Sequence, residues 1–437
     1  MKHIGRLLPL LLPILLLLSA CDLLSETPLA GSATPTTPAV PTAAASATVV
    51  ATLPSPSPAA PLSPLRVWLP AEIAARTTAG AQAFADQVRA FETTQPELDV
   101  VIEQKPVEGA GGILSYLRTG ATVAPAILPD VIALPTGAIA DPAVRQLLQP
   151  LDGLLEPADV YHDAAAQVVA DDRLFGIPFA SAGLTHLAYV PSPETNAIPM
   201  EWTTFISDTN HTLILPADSR DGALFGLQFY LAEGGTLVND AGQPDLQPEP
   251  LARALRQIAL RPENLLQSRQ LKTQDEAWQY YRVGLSGFLW LRSEYYLSRR
   301  AELGTTAMPD LAYSRVPGPN GALTPLTTTW AWAITTSDPA RQALAATLIQ
   351  ALTTPENLSD FTDRSQLLPA QRAAMALLAE GSDYFQFADG ELERARAMPV
   401  SESSRQLAVI GDAVFQVLTT DASPEAIAEQ AVLSLRQ

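Results

Sequence analysis

Cysteine is almost absent from this chain: Cys21 is the only one in 437 residues. No intramolecular disulfide can form, so a folded domain has to rest on its hydrophobic core. Histidine is scarce as well. His3, His162, His186 and His211 are scattered and make neither an H-E-x-x-H pair nor a cysteine/histidine metal spacing, so no metal and no cofactor is expected. The glycine-bearing stretch Val107-Glu108-Gly109-Ala110-Gly111-Gly112 lacks the following Gly-Lys-Ser or Gly-Lys-Thr of a phosphate loop and reads as a surface turn. Gly284-Leu285-Ser286-Gly287 lacks the spacing of a nucleophile elbow. Positive charge is short too. Against 46 acidic residues stand 27 Lys and Arg, a net charge of −19, which disfavours nucleic acid and anionic headgroups as partners and favours solubility. An apolar run long enough to span a bilayer is also missing, because Leu7 to Leu18 falls short of the roughly 20 residues needed.

What is present begins with the layout of a secretory signal: Lys2 and Arg6, then that apolar run, then small residues. Leu18-Ser19-Ala20-Cys21 resembles the lipobox of bacterial lipoproteins, which implies a removed signal over 1–20, lipidation of Cys21 and a membrane-anchored protein on the extracytoplasmic face. Residues 21–64 are mostly Ala, Pro, Ser and Thr, with no charge between Glu26 and Arg66, the composition of a disordered tether. The pattern changes at Leu65. Leu65-Arg66-Val67-Trp68-Leu69 reads as a buried strand. Phe84, Val88 and Phe91 mark a helix that stops before Gln95-Pro96. Leu98–Ile102 and Asp130–Leu134 read as further strands, so an open α/β sheet with a right-handed parallel crossover is expected. In such sheets ligands lie beyond the carboxyl ends of the strands. Asp338-Pro339, Thr354-Pro355 and Ser423-Pro424 each place a capping side chain before a proline at a helix start. Leu407, Ile410, Val414 and Leu418 form one apolar helical stripe, and Ile427, Ala431 and Leu435 another; both read most simply as core. The stretch 65–437 exceeds what one core usually serves, so two lobes are expected.

Several segments, in order, resemble the extracellular solute-binding proteins of ABC transporters, particularly the carbohydrate-binding, maltose-binding-protein-like group. They are the first strand Leu65-Arg66-Val67-Trp68, Leu128-Pro129-Asp130-Val131-Ile132, Leu148-Gln149-Pro150-Leu151-Asp152, Phe175-Gly176-Ile177-Pro178-Phe179, Pro199-Met200-Glu201-Trp202-Thr203-Thr204-Phe205, Gly234-Gly235, Trp330-Ala331-Trp332-Ala333-Ile334 and Leu367-Leu368-Pro369-Ala370. The resemblance implies an α/β, two-lobed periplasmic-binding-protein-like fold with a hinged interlobe cleft. It divides the chain into lobe 1 over 65–179 and 319–357 and lobe 2 over 180–318 and 358–437. Crossings are expected near Pro178–Ser181, Val316–Gly321 and Thr353–Asp363. It also implies no enzymatic activity but capture of a solute, a sugar or oligosaccharide foremost, by a monomer that delivers it to an ABC-transporter permease. A ligand sensor for a membrane kinase and a surface glycoside hydrolase are the alternatives.

Carried over by motif position, the resemblance marks Trp68, Glu72, Thr136, Ser181, Tyr189, Trp290, Arg292, Glu294, Tyr295 and Trp330 as ligand-binding candidates. Sugars present apolar ring faces and polar edges, which suit aromatic side chains beside carboxylates and guanidinium groups. Tryptophans in apolar runs such as Gly287–Leu291 read equally as core. Trp202 and Trp278 fit helix faces and are left to the core. Leu69-Pro70-Ala71-Glu72 departs from the polar side chains the family often has after the first strand, leaving Glu72 as the ionisable candidate there.

Overall fold

A computed structural model describes residues 63–435 apart from 75, 124–126, 196, 209–210, 240–242, 261, 308–309 and 399–402. The chain divides into two units, Met1–Ala59 and Ala60–Gln437, and every described residue belongs to the second. The expected signal, Cys21 and the tether as far as Leu62 lie outside the described residues.

The folded unit opens with strand β1 (Leu65–Pro70), helix α1 (Thr78–Thr94) and strand β2 (Val100–Lys105). Thr77 caps α1 by accepting the Gly80 amide, and Phe84, Val88 and Phe91 face inward at helical spacing. Strand β3 (Val131–Pro135) is buried along its whole length. Both β2 and β3 pair with β1 in parallel, as the alternation of strand and helix patterns leads one to expect. Strand β4 (Ile177–Ala182) joins the same sheet, and the chain then passes through Gly183 and Leu184 into β5 (Thr185–Tyr189) of a different sheet. Gly183 has φ +77°, a left-handed conformation that costs glycine little and lets the chain turn between sheets.

That second sheet contains β6 (Leu213–Ile214), β7 (Phe288–Arg292) and β8 (Ala312–Ser314), in the order β8-β5-β7-β6. Between β6 and β7 run helices α2 (Arg220–Ala232) and α3 (Pro248–Ile258). The chain returns to the first sheet in the long strand β9 (Leu326–Ile334), which lies antiparallel between β3 and β4. Then follow α4 (Pro339–Leu352), α5 (Pro355–Arg364), a short strand β10 (Leu368–Pro369) beside β4, and the closing helices α6 (Ser403–Thr419) and α7 (Pro424–Leu435). Helices α4, α5 and α7 all start at the anticipated prolines, with Asp338, Thr354 and Ser423 accepting amides of the first turn.

Three clusters of buried side chains hold the molecule. The first surrounds the large sheet and takes in Val131–Leu134, Trp332, Phe84 and Phe361. The other two lie on opposite faces of the small sheet. Strand side chains alternate between faces, so Leu213, Phe288 and Trp290 enter one core while Ile214, Leu289 and Leu291 enter the other. Leu358, Phe361 and Leu367 pack in the first core, so the chain stays with the first lobe through 353–363, where the resemblance had implied a crossing. Val316, Leu323 and Leu326 pack in the second, so the earlier return lies after residues 316–321.

Candidate functional site

Between the two sheets lies a cavity of about 730 Å³, within the range of small-molecule sites. Its first-lobe wall is built where the parallel strands end. Glu72 and Ile73 follow β1, Pro106, Val107 and Glu108 follow β2, and Pro135 closes β3. This is the carboxyl edge of the sheet, where an open α/β fold leaves a crevice. Ala182 and Gly183 of the crossover and Thr328 and Trp330 of β9 complete that side. The second lobe contributes the start of α2, from Ala217 to Leu227, one flank of α6, from Leu407 to Phe415, and the Arg292–Glu294 end of β7.

Trp330 sits where the pairing of β9 with β4 slips register, between Trp330 and Ala331. Such bulges re-aim a side chain beside a functional site. The indole is 7% exposed and borders the cavity, while Trp332, two residues on, stacks on Phe179 at 4.7 Å inside the core.

The polar end of the cavity is a chain of charges. Arg292 Nε donates to Asp221 Oδ1 at 2.6 Å, and its Nη1 donates to Glu294 Oε1. Glu294 Oε2 accepts the Gly183 amide of the crossover at 2.8 Å. From the first lobe, Arg76 Nη2 donates to the Glu294 carbonyl at 3.1 Å. Burial pushes the Glu294 carboxyl up, but the Arg292 and Arg76 guanidinium groups outweigh it and hold the carboxyl below its ordinary value. Burial likewise opposes the charge of Arg292, and Glu294 and Asp221 overcome it, so its pKa is raised. For Arg76 burial wins, assisted by Arg292 and opposed by Glu294, and its pKa is lowered. Arg76 Nε is buried and has no hydrogen-bond partner among the described residues.

Four of the ten motif-derived candidates come together here: Glu72, Arg292, Glu294 and Trp330. The other six lie elsewhere. Trp68, 2% exposed, packs in the first core against the Tyr116 ring, with the Lys105 ammonium 4.8 Å from its ring centre. Thr136 is buried and donates to Gln167 Oε1 at 2.7 Å. Ser181 is buried against the Thr329 hydroxyl at 2.9 Å. Trp290 is fully buried in the second core, its Nε1 donating to Gln228 Oε1 at 3.3 Å. Tyr189 pairs with Phe288 at the far end of the small sheet, four residues from the Thr185–Arg292 pair at the cavity, roughly 14 Å along the strand. Tyr295 packs on the third core, its hydroxyl donating to Asp275 Oδ1 at 2.8 Å.

Two residues in the recognised motifs are structural. Asp130 accepts the Arg66 amide at 2.8 Å and Arg341 Nε at 2.6 Å, and Asp152 accepts the Leu174 amide at 3.2 Å. The motif reading missed Arg76, which follows a four-residue helical turn, and the α2 and α6 side chains. The only sequence signal for the latter was the Leu407–Leu418 stripe, which serves both core and cavity.

Among the described residues no group of His, Cys, Asp and Glu could hold a metal, and no helix is long and apolar enough to cross a membrane. Residues 86–388 match the family described as bacterial extracellular solute-binding protein. No curated protein matches the chain. Solved structures do match. The sugar-binding protein MalE from Xanthomonas citri is 18% identical with a TM-score of 0.66, the match covering 85% of this chain and 96% of that one. The cyclic α-maltosyl-1,6-maltose binding protein from Arthrobacter globiformis is 16% identical with a TM-score of 0.64, covering 85% and 98%. The maltose-maltodextrin binding protein of Alicyclobacillus acidocaldarius is 17% identical with a TM-score of 0.61, covering 86% and 100%. At these identities the likeness establishes the fold: two α/β lobes of the maltose-binding-protein type.

Proposed function

The chain belongs to the bacterial extracellular solute-binding proteins, and from that premise we propose that it captures a sugar or oligosaccharide and hands it to an ABC-transporter permease, without catalysing a reaction. The observation that carries this reading is the cavity of about 730 Å³ walled by both lobes, with Trp330 on one side and the Arg76–Glu294–Arg292 charges at its end. A flat indole suits a sugar face, and guanidinium and carboxylate groups suit hydroxyl edges. Glu72, Arg292, Glu294 and Trp330 are proposed as ligand contacts, with Arg76 added to them. The proteins of like fold that bind cyclic α-maltosyl-1,6-maltose or maltose and maltodextrin lend the sugar class its support.

The hinge of the proposed closing motion runs through the three passages between cores, at Ala182–Thr185, between Leu326 and Trp330, and near Leu367–Leu368. The lipobox-like Leu18–Cys21 supports lipid anchoring at Cys21, with a monomeric receptor held at the extracytoplasmic face.

A thermal-shift screen of the unit Ala60–Gln437 against mono- and oligosaccharides, amino acids, peptides and polyamines tests the reading. A sugar at a hundredfold excess over its dissociation constant raises stability by about 2.7 kcal/mol, a clear rise in Tm. Stabilisation only by a non-sugar class contradicts the sugar assignment, and silence across the library contradicts the receptor reading.

A further inference from the structure

The cavity is lined by aliphatic side chains as well as by charged ones. No asparagine, glutamine, histidine or tyrosine lines it among the described residues, and Trp330 and Phe415 are its only aromatic rings. Arg76, Arg292 and Glu294 gather at the crossover end, where guanidinium and carboxylate groups suit hydroxyl oxygens. The second-lobe wall is mixed: Asp218 and Arg220 stand at the start of α2, and α6 presents Leu407, Ala408 and Phe415 together with Asp412.

This wall is more than the rim of a core. Ile410 and Leu224 are buried and belong to the second core, but Leu407 and Phe415 are half-buried and Ala408 is exposed, all on the cavity flank of α6. These positions border an aqueous cleft, where polar residues are usual. Apolar ones leave a strip of surface whose hydration is unfavourable until something apolar covers it. Glycines let α2 and α6 pack closely behind this flank. A Cβ on Gly226 would stand 2.4 Å from Val414 Cγ2, and one on Gly411 2.9 Å from Ala223 Cβ, so the two helices approach closely.

Building on the sugar-receptor reading, we propose that the ligand is an amphipathic glycoside: a sugar head hydrogen-bonded at the Arg76–Glu294 end and an apolar aglycone lying along the Leu407–Ala408–Phe415 flank of α6. The division of labour follows from the chemistry of each end. Guanidinium and carboxylate groups select hydroxyl oxygens, and an apolar flank selects methylene or aryl surface by area, with little regard for shape.

The experiment is a calorimetric titration of the unit Ala60–Gln437 with methyl, butyl and octyl glycosides below their micelle concentrations. Glucose, galactose and maltose serve as heads, 1-octanol as the headless control and the unsubstituted sugars as the tailless one. Each methylene that enters the wall tightens binding by up to about fourfold, so the octyl member of the best series should bind at least tenfold more tightly than the methyl member and at least tenfold more tightly than octanol. Leu407→Asn and Phe415→Asn, two half-buried positions on α6 tested separately, should each pull the octyl-to-methyl ratio toward one, while Arg76→Gln weakens every member of the series by a similar factor. Equal affinity for methyl and octyl glycosides overturns the aglycone and leaves the sugar-receptor reading standing. Octanol binding as tightly as octyl glycoside overturns the sugar head. Silence from every glycoside and every free sugar overturns both.

Discussion

At the scale of single residues, the outcome for each candidate depended on which way its side chain had to point. Glu72, Arg292, Glu294 and Trp330 stand at the ends of strands or at a register slip, where the chain leaves its sheet and side chains are free to face the cleft. Trp290 is the middle residue of β7, where alternation sends it to the core with Phe288. The motif could not separate the two cases, because an apolar run reads the same whether a tryptophan ends it or sits within it. Arg76 could not be read at all, since its importance arises from a contact with Glu294 across 218 residues.

A residue outside the cavity gives a sharp pH signature. His186 is fully buried among Tyr313, Tyr384 and Phe387. Its Nδ1 faces the Leu187 carbonyl at 3.4 Å and so carries the proton, leaving Nε2 to accept the Tyr384 hydroxyl at 3.1 Å. Burial, against the smaller opposing pulls of the Leu187 carbonyl and Glu294, pushes the imidazole down from 6.5 to about 4. Between those values the unfolded chain takes up a proton that the folded chain refuses, so stability falls as pH falls from 6.5 to about 4, by an amount on the order of 3 kcal/mol. His186→Gln removes that share. In urea titrations at pH 7 and pH 4.5, the loss on acidification should be smaller in the variant than in the wild type; an equal loss in both would show that this imidazole is not the group responsible.

At the scale of elements, local signals were read most faithfully where the physics is local. Proline after a capping side chain set the starts of α4, α5 and α7. The strands β1 and β3 announced themselves as continuous apolar runs because both faces of a parallel sheet are covered. Helix α2 gave no amphipathic signal, since every residue from Asp221 to Tyr230 is buried. Its packing depends on Gly226, whose absent side chain leaves room for Val414 and Ile410 of α6. Gly226→Ala should therefore destabilise the protein by roughly 1–3 kcal/mol through overpacking of branched, buried neighbours. Chemical denaturation would show this as a lower midpoint with an unchanged slope, and an unchanged midpoint would mean that the two helices have slack at this crossing.

At the scale of the whole molecule, the two-lobed α/β architecture was legible because many weak motifs fell in one order across the chain, most of them within the residues 86–388 that match the family. Where the chain changes lobes was less legible. A crossing is defined by which core a side chain joins, and Leu358 and Phe361 look alike in sequence whether they join the first or the second. The cavity followed from the architecture all the same, since three parallel strands ending on one edge leave a crevice that the second lobe only has to face.

The central claim is that this interlobe cavity is where a sugar binds. It is tested most directly by calorimetric titration of the wild-type unit Ala60–Gln437 and the Trp330→Leu variant, side by side, with the sugar that gives the largest thermal shift. The account predicts one site per chain in the wild type, with a negative heat-capacity change from the apolar surface covered, and at least tenfold weaker binding in the variant. Equal affinity in the two proteins would place the sugar elsewhere and contradict it.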